Sequence, residues 1–202
     1  MSHFRQMRRR IANLTSKILS PFLVSLVIIL LLSFESTYSA LDALKWSLLL
    51  IAISIVPVYS VIIYLARNHG LGSRFIDIRK QRTKIYLVAS VCALGGCFIL
   101  LYLEAPLILV AIFVAGLSAI VIFMFINLWW KISLHTAFIA ASVAVLVILY
   151  GSIATVTVML LPLVAWARVE QEHHSITQVA IGALLAALIV VVVFYLFGLV
   201  WG

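Results

Sequence analysis

The chain has 202 residues, of which 66% are hydrophobic and 10% charged, with a mean hydropathy of +1.28 and a formal net charge of +8. Soluble domains carry roughly 25% charged residues, so these figures exclude an ordinary soluble enzyme and indicate a polytopic membrane protein. At about 20 residues per crossing, the length holds roughly six to eight helical spans and no sizeable soluble domain, which confines any chemistry to helix ends or the bundle interior.

The amino-terminal stretch M-S-H-F-R-Q-M-R-R-R is basic and free of acids, and an apolar run from about Ile18 to Phe34 follows it. A basic segment ahead of an apolar one also describes a secretory signal peptide. Tyr38-Ser39-Ala40 is a poor cleavage context, however, and six more apolar segments follow, so the run reads as a retained first span. Pro21 falls near its first turn, where a missing backbone donor does least harm.

A second span covers about Trp46 to Ala66 and carries Pro57 as an expected kink. The third runs from about Ile85 to Leu103, and after a turn at Glu104, Ala105 and Pro106 the fourth continues to about Trp130, its Trp129-Trp130 pair suited to a membrane interface. A fifth starts near Ser133 and ends around Tyr150-Gly151; the sixth, about Ser152 to Trp166, is short; the seventh runs from about Ile176 to Val200. The expectation is therefore an all-α transmembrane helix bundle of about seven spans. It forms a single integral-membrane domain, with residues 1–16 as a basic amino terminus and 17–202 as the bundle. Gly95-Gly96, Gly116 and Gly182 read as close helix contacts, and Cys92 and Cys97 as packing residues.

Seven spans make the charge meaningful. The amino terminus, the loop from Arg67 to Lys84, Lys131 and Arg168 then share one side, which collects 13 of the 14 Lys and Arg residues, with Lys45 alone opposite. By the positive-inside rule that side is cytoplasmic. The net charge is thus a topology signal, and no nucleic-acid partner is expected.

Three polar clusters share that side. The loop from Arg67 to Lys84 holds six basic residues, Arg79 and Arg82 among them, against one acid, Asp77. It reads either as a topogenic loop against anionic headgroups or as part of a site. Lys131, Ser133 and His135 alternate at the start of the fifth span. Trp166 to Gln178, W-A-R-V-E-Q-E-H-H-S-I-T-Q, interrupts two apolar segments with Arg168, His173, His174 and Gln178. Two spans separate each cluster from the next, so parity returns all three to one face.

His174 and Gln178 are four apart at the start of the last span and share a helix face. Gln178 there holds one imidazole nitrogen and aims the other outward, as a nucleophilic histidine requires. Adjacent His173 and His174 point to different faces and do not make a metal set. No dinucleotide fold or Gly-rich phosphate loop is present, and neither cofactor nor metal is expected. Histidines, arginines and a serine with few carboxylates suit phosphoryl transfer: cations neutralise the charge, one imidazole attacks and a second acts as acid.

The order of these clusters resembles the type 2 phosphatidic acid phosphatase superfamily. Its motifs are a lysine, six residues, then Arg-Pro; Pro-Ser-Gly-His; and Ser-Arg, five residues, His, three residues, Asp. Here Arg168, His174 and Gln178 keep the third spacing, and Ser133 and His135 keep the second. H-H-S-I-T-Q-V-A-I-G is closest to the dolichyl diphosphatase-like branch, where glutamine also replaces the aspartate. The chain departs from the pattern at Phe75 and Thr83 in the first motif, at Ile132 and Leu134 in the second, and at Ala167 in the third. Two spans also separate its first and second motifs.

The resemblance implies a metal-independent membrane phosphatase acting on a lipid phosphate or diphosphate, isoprenoid ones included. It implies His174 as nucleophile, His135 as acid, Gln178 as orienter, and Arg82, Arg168, Ser133, Lys131 and Arg79 as phosphate-binding residues. A second expectation stands beside it, a non-catalytic lipid-phosphate binder or transport-type protein using the same cationic pocket. Oligomeric state is not legible in the sequence.

Overall fold

The computed structural model describes the backbone of residues 2–68 and 79–200 and the side chains of residues 3–67 and 82–200. All regular structure among them is helical: α1 (Ser2–Ile18), α2 (Pro21–Glu35), α3 (Ala40–Leu50), α4 (Val56–Asn68), α5 (Arg79–Tyr102), α6 (Leu107–Asn127), α7 (Leu134–Tyr150), α8 (Leu160–Glu170) and α9 (Ile176–Leu196). Among the described residues six helical runs are long and apolar enough to cross a membrane. The longest, Leu134–Glu170, has 37 residues and as one straight α-helix would reach about 55 Å, against a hydrocarbon core of about 30 Å.

It is not straight. Gly151 has φ 61° and ψ −138°, a conformation open to glycine and strained for other residues, and a 3₁₀ segment, Gly151–Met159, leads into α8. Val164 of α8 packs on Ile139 and Val143 of α7 in one buried cluster, which a continuous helix would keep far apart. The run therefore doubles back as two helical legs, which agrees with about seven spans.

The chain divides into two compact units, Met1–Ser25 with Lys131–Gly202, and Leu26–Trp130. In the second unit α5 and α6 form a hairpin through the turn at Glu104, which takes φ 51°. The Ala105 amide closes that turn by donating to Leu100 O at 2.9 Å. Pro57 is met by a π-helical segment, Ile51–Ile55, immediately before α4. The wider turn absorbs the carbonyl that proline's missing N–H leaves over. Gly96 admits the Phe113 ring, whereas Gly95 and Gly116 have open space where a Cβ would stand, so the expected close contact holds at neither.

In the first unit the amino-terminal ends of α7 and α9 lock together. Thr136 Oγ1 donates to Val179 O at 3.2 Å, and the Ser133 amide to Gln178 O at 3.4 Å. A Cβ on Gly182 would lie 2.9 Å from Ile132 Cγ2 and 3.0 Å from Ser133 O. Only glycine lets α9 approach the backbone of 132–133 this closely.

The basic amino terminus is a helix in its own right. It packs against α8, with Ala12 fully buried and Ser16 nearly so. Leu19 and Val24 continue that packing into the cluster around Ile139, Val143 and Val164.

Candidate functional site

The first unit brings His135, Arg168, His174, Gln178 and Ser133 together, each placed by a distinct local device. Ser133 is the N-cap of α7, and His135 follows in the first turn. Arg168 lies in the last turn of α8. The sequence ended this span at Trp166; the helix continues to Glu170, so Arg168 is held by a helix, not by a loop.

His174 is not on α9. Ser175 is the N-cap, and a capping box fixes the turn: Gln178 N–H donates to Ser175 Oγ at 3.3 Å while Ser175 N–H donates to Gln178 Oε1 at 3.2 Å. His174 Nδ1 lies 3.1 Å from the same Oε1. The pairing therefore comes from the cap, and the shared helix face expected from the spacing is not its cause. The box also settles the chemistry of the imidazole. A backbone N–H only donates, so the Gln178 atom it meets is the oxygen. That oxygen only accepts, so Nδ1 carries a hydrogen and Nε2 of neutral His174 keeps its lone pair.

His135 is hydrogen-bonded to the backbone of Ser16 in α1 and lies within electrostatic reach of Arg168, His174 and His173. Arg168 Nη1 donates to Gln171 Oε1 at 3.0 Å. Gln171 in turn donates through Nε2 to Ala12 O at 2.8 Å and Ser16 Oγ at 2.9 Å. Two salt bridges close the edge: Arg8 to Glu170 at 2.6 Å and Arg9 to Glu172 at 2.8 Å. Glu170 and Glu172 thus have partners in α1, and His173 acts on His135.

Gln171 is the residue that sequence reasoning missed. Its spacing of three from Arg168 was legible; its attachment to α1 was not, because nothing in the sequence pairs residues 12 and 171.

Ser133 is fully buried, and among the described residues its Oγ has no hydrogen-bond partner. A buried hydroxyl left unpaired costs about 1–3 kcal/mol. An open apolar groove of about 370 Å³ runs along α7, α8 and α9, lined by Thr136, Leu161, Ala165, Ile176, Val179 and Ala183 among others, none of them a site residue. It begins one residue from His135 and two from His174 in sequence.

The remaining expected residues are placed differently. Arg82 belongs to the second unit, where it is buried, donates to the Tyr86 hydroxyl at 3.2 Å and stands 5.9 Å from the Tyr86 ring centre. Beside it Asn127 Nδ2 donates to Thr83 Oγ1 at 3.3 Å. Lys131 is half-buried in the segment leading into α7. The side chain of Arg79 lies outside the described residues, as do Arg74, Asp77 and Lys80. Among the described residues no three His, Cys, Asp or Glu side chains are placed to hold a metal ion.

Comparison with family models, characterised proteins and solved structures finds no match to this chain.

Proposed function

We propose that the protein is a membrane phosphatase of the type 2 phosphatidic acid phosphatase kind, acting on a lipid phosphate or diphosphate through a phosphohistidine. The observation that carries this reading is the fixed tautomer of His174, whose Nε2 lone pair stands in one unit with His135 and Arg168. Nε2 attacks phosphorus, and the bond from phosphorus to the lipid oxygen breaks with its electron pair on that oxygen. His135 relays a proton from solvent to that oxygen. Water then attacks the phosphohistidine, His135 takes the water proton, and the N–P bond breaks to return His174 and release phosphate.

Arg168, Ser133 and Lys131 bind the phosphoryl oxygens. The guanidinium would exchange Gln171 for a charged acceptor, a stronger bond, and Ser133 Oγ would gain the partner it lacks. The apolar groove along α7, α8 and α9 suits the chain of the lipid. On the same reading this face is cytoplasmic, following the excess of Lys and Arg.

Phosphate release from a panel of lipid monophosphates and diphosphates, measured with EDTA present, tests the proposal. Turnover that survives the chelator is expected, and no release from any lipid phosphate overturns it.

The neutral amide at 178 favours a second reading, a lipid-phosphate binder without turnover, because an amide stabilises a cationic imidazole less than a carboxylate does. Gln178→Glu separates the two. Glutamate at this position keeps the capping box and adds a charge-assisted bond to His174. In a phosphatase it raises turnover on the order of tenfold, the worth of about 1.4 kcal/mol in the barrier. In a binder it leaves phosphate release at background.

A further inference from the structure

The helix α1 shows two faces with different partners. Ala12 and Ser16 are buried against α8, and Gln171 and His135 bond to that side. Phe4, Met7, Ile11, Leu14 and Ile18, at spacings of three and four, form an apolar stripe on the other side, between 48% and 61% exposed. Such spacing lines up one face of a helix. Arg10 and Lys17 border that stripe along one edge and are themselves exposed. The helix carries five basic residues, Arg5, Arg8, Arg9, Arg10 and Lys17, and no acidic one.

We infer that the outer face of α1 docks on an anionic lipid surface, its stripe sunk into the acyl boundary and Arg10 and Lys17 on the headgroup phosphates. Charge complementarity selects the occupant. A helix rich in Lys and Arg, with a large apolar face and low overall hydrophobicity, lies in the interface of an anionic bilayer. The position in the chain agrees: only Leu19 and Ser20 separate α1 from α2, which begins a membrane crossing, so α1 is tethered at the bilayer surface. The inner face meanwhile holds Gln171 and His135, so lipid contact on one side bears on the residues of the site on the other. The inference stands independently of the phosphatase reading, because it concerns where α1 lies and not what is turned over.

The test uses the full chain with Cys92→Ala and Cys97→Ala, spin-labelled at Leu14→Cys or at Asn13→Cys. Asn13 is exposed on the polar side of α1 and serves as the internal control. The protein is placed in nanodiscs of zwitterionic lipid, or of the same lipid with phosphatidylglycerol added. Accessibility is read with oxygen, which partitions into the bilayer, and with a water-soluble nickel chelate.

With anionic lipid, the label at 14 is expected to lose accessibility to nickel and gain it to oxygen, while the label at 13 stays nickel-accessible. Arg10→Glu with Lys17→Glu returns position 14 to nickel. Equal nickel access at 13 and 14 in every disc overturns the inference, as does an oxygen-accessible position 14 that ignores the anionic lipid. Protection from both reagents with label–label broadening would instead assign the stripe to a second copy of the chain and also overturn it. Protection from both without broadening would do the same in favour of another protein surface.

Discussion

His174→Ala is expected to lower phosphate release from a lipid phosphate by at least about 10³-fold, the loss that follows when a covalent nucleophile is removed. Label transferred from a phosphate-labelled substrate to the parent protein, stable to base and labile to acid, should vanish in the variant. The side chain of His174 is half-buried and its contact with Gln178 adds to a capping box that persists without it, so the fold survives and the loss is chemical. His135→Ala is expected to cost less, about 10²- to 10⁴-fold, and to retain some labelled protein, because attack by Nε2 does not need the acid when the leaving group is good. A His174→Ala protein as fast as the parent would end the phosphohistidine mechanism. Binding of lipid phosphate with no release, unchanged in both variants, would establish the binder in its place.

The second large effect is expected at a residue that touches no substrate. Gly182→Ala puts a Cβ 3.0 Å from the backbone oxygen of Ser133 and 2.9 Å from Ile132 Cγ2, and a backbone oxygen held by the Ala137 amide cannot step aside as a side chain does. Overpacking of this kind costs about 1–3 kcal/mol, and a bulkier leucine should part α9 from α7. The thermal transition in detergent should fall by several degrees for Gly182→Ala, and turnover should fall with it, since the same contact sets His174 against His135. Gly116→Ala supplies the opposite sign. Nothing lies within 4 Å of its added Cβ, and alanine is the better helix residue by roughly 0.5–1 kcal/mol, so that variant should be neutral or more stable. A Gly182→Ala protein as stable as the parent would show that α9 can shift without consequence.

The membrane spans were legible because hydrophobic windows near 20 residues carry a strong signal in a chain with so few charges. The limits of that signal explain the misses. Averaged over such a window, residues 2–18 look merely polar, although Phe4, Met7, Ile11, Leu14 and Ile18 already mark a helical stripe; read by period, the segment is an amphipathic helix. The apolar run of the sixth span stops at about Trp166, whereas α8 continues through Arg168 to Glu170, where α1 supplies partners for that last turn. Ser-Ile-Thr-Gln at 175–178 is a capping box in plain sequence, and recognising it would have placed His174 ahead of the helix. The link from Gln171 to α1 spans about 160 positions and has no local signature at all.

That separation bears on how the protein is made. Arg8 and Glu170 stand 162 positions apart, and at a synthesis rate of about 5–20 residues per second roughly 8–30 s pass between the emergence of one and the other. Through that interval the α8 partners of α1 do not yet exist, so Ala12 and Ser16 lack the surface they are buried against. His174 and Gly182 arrive later still, the first just ahead of α9 and the second within it. A nascent chain therefore carries its cationic helix early and His174, the proposed nucleophile, late, and a chain arrested before residue 174 lacks it.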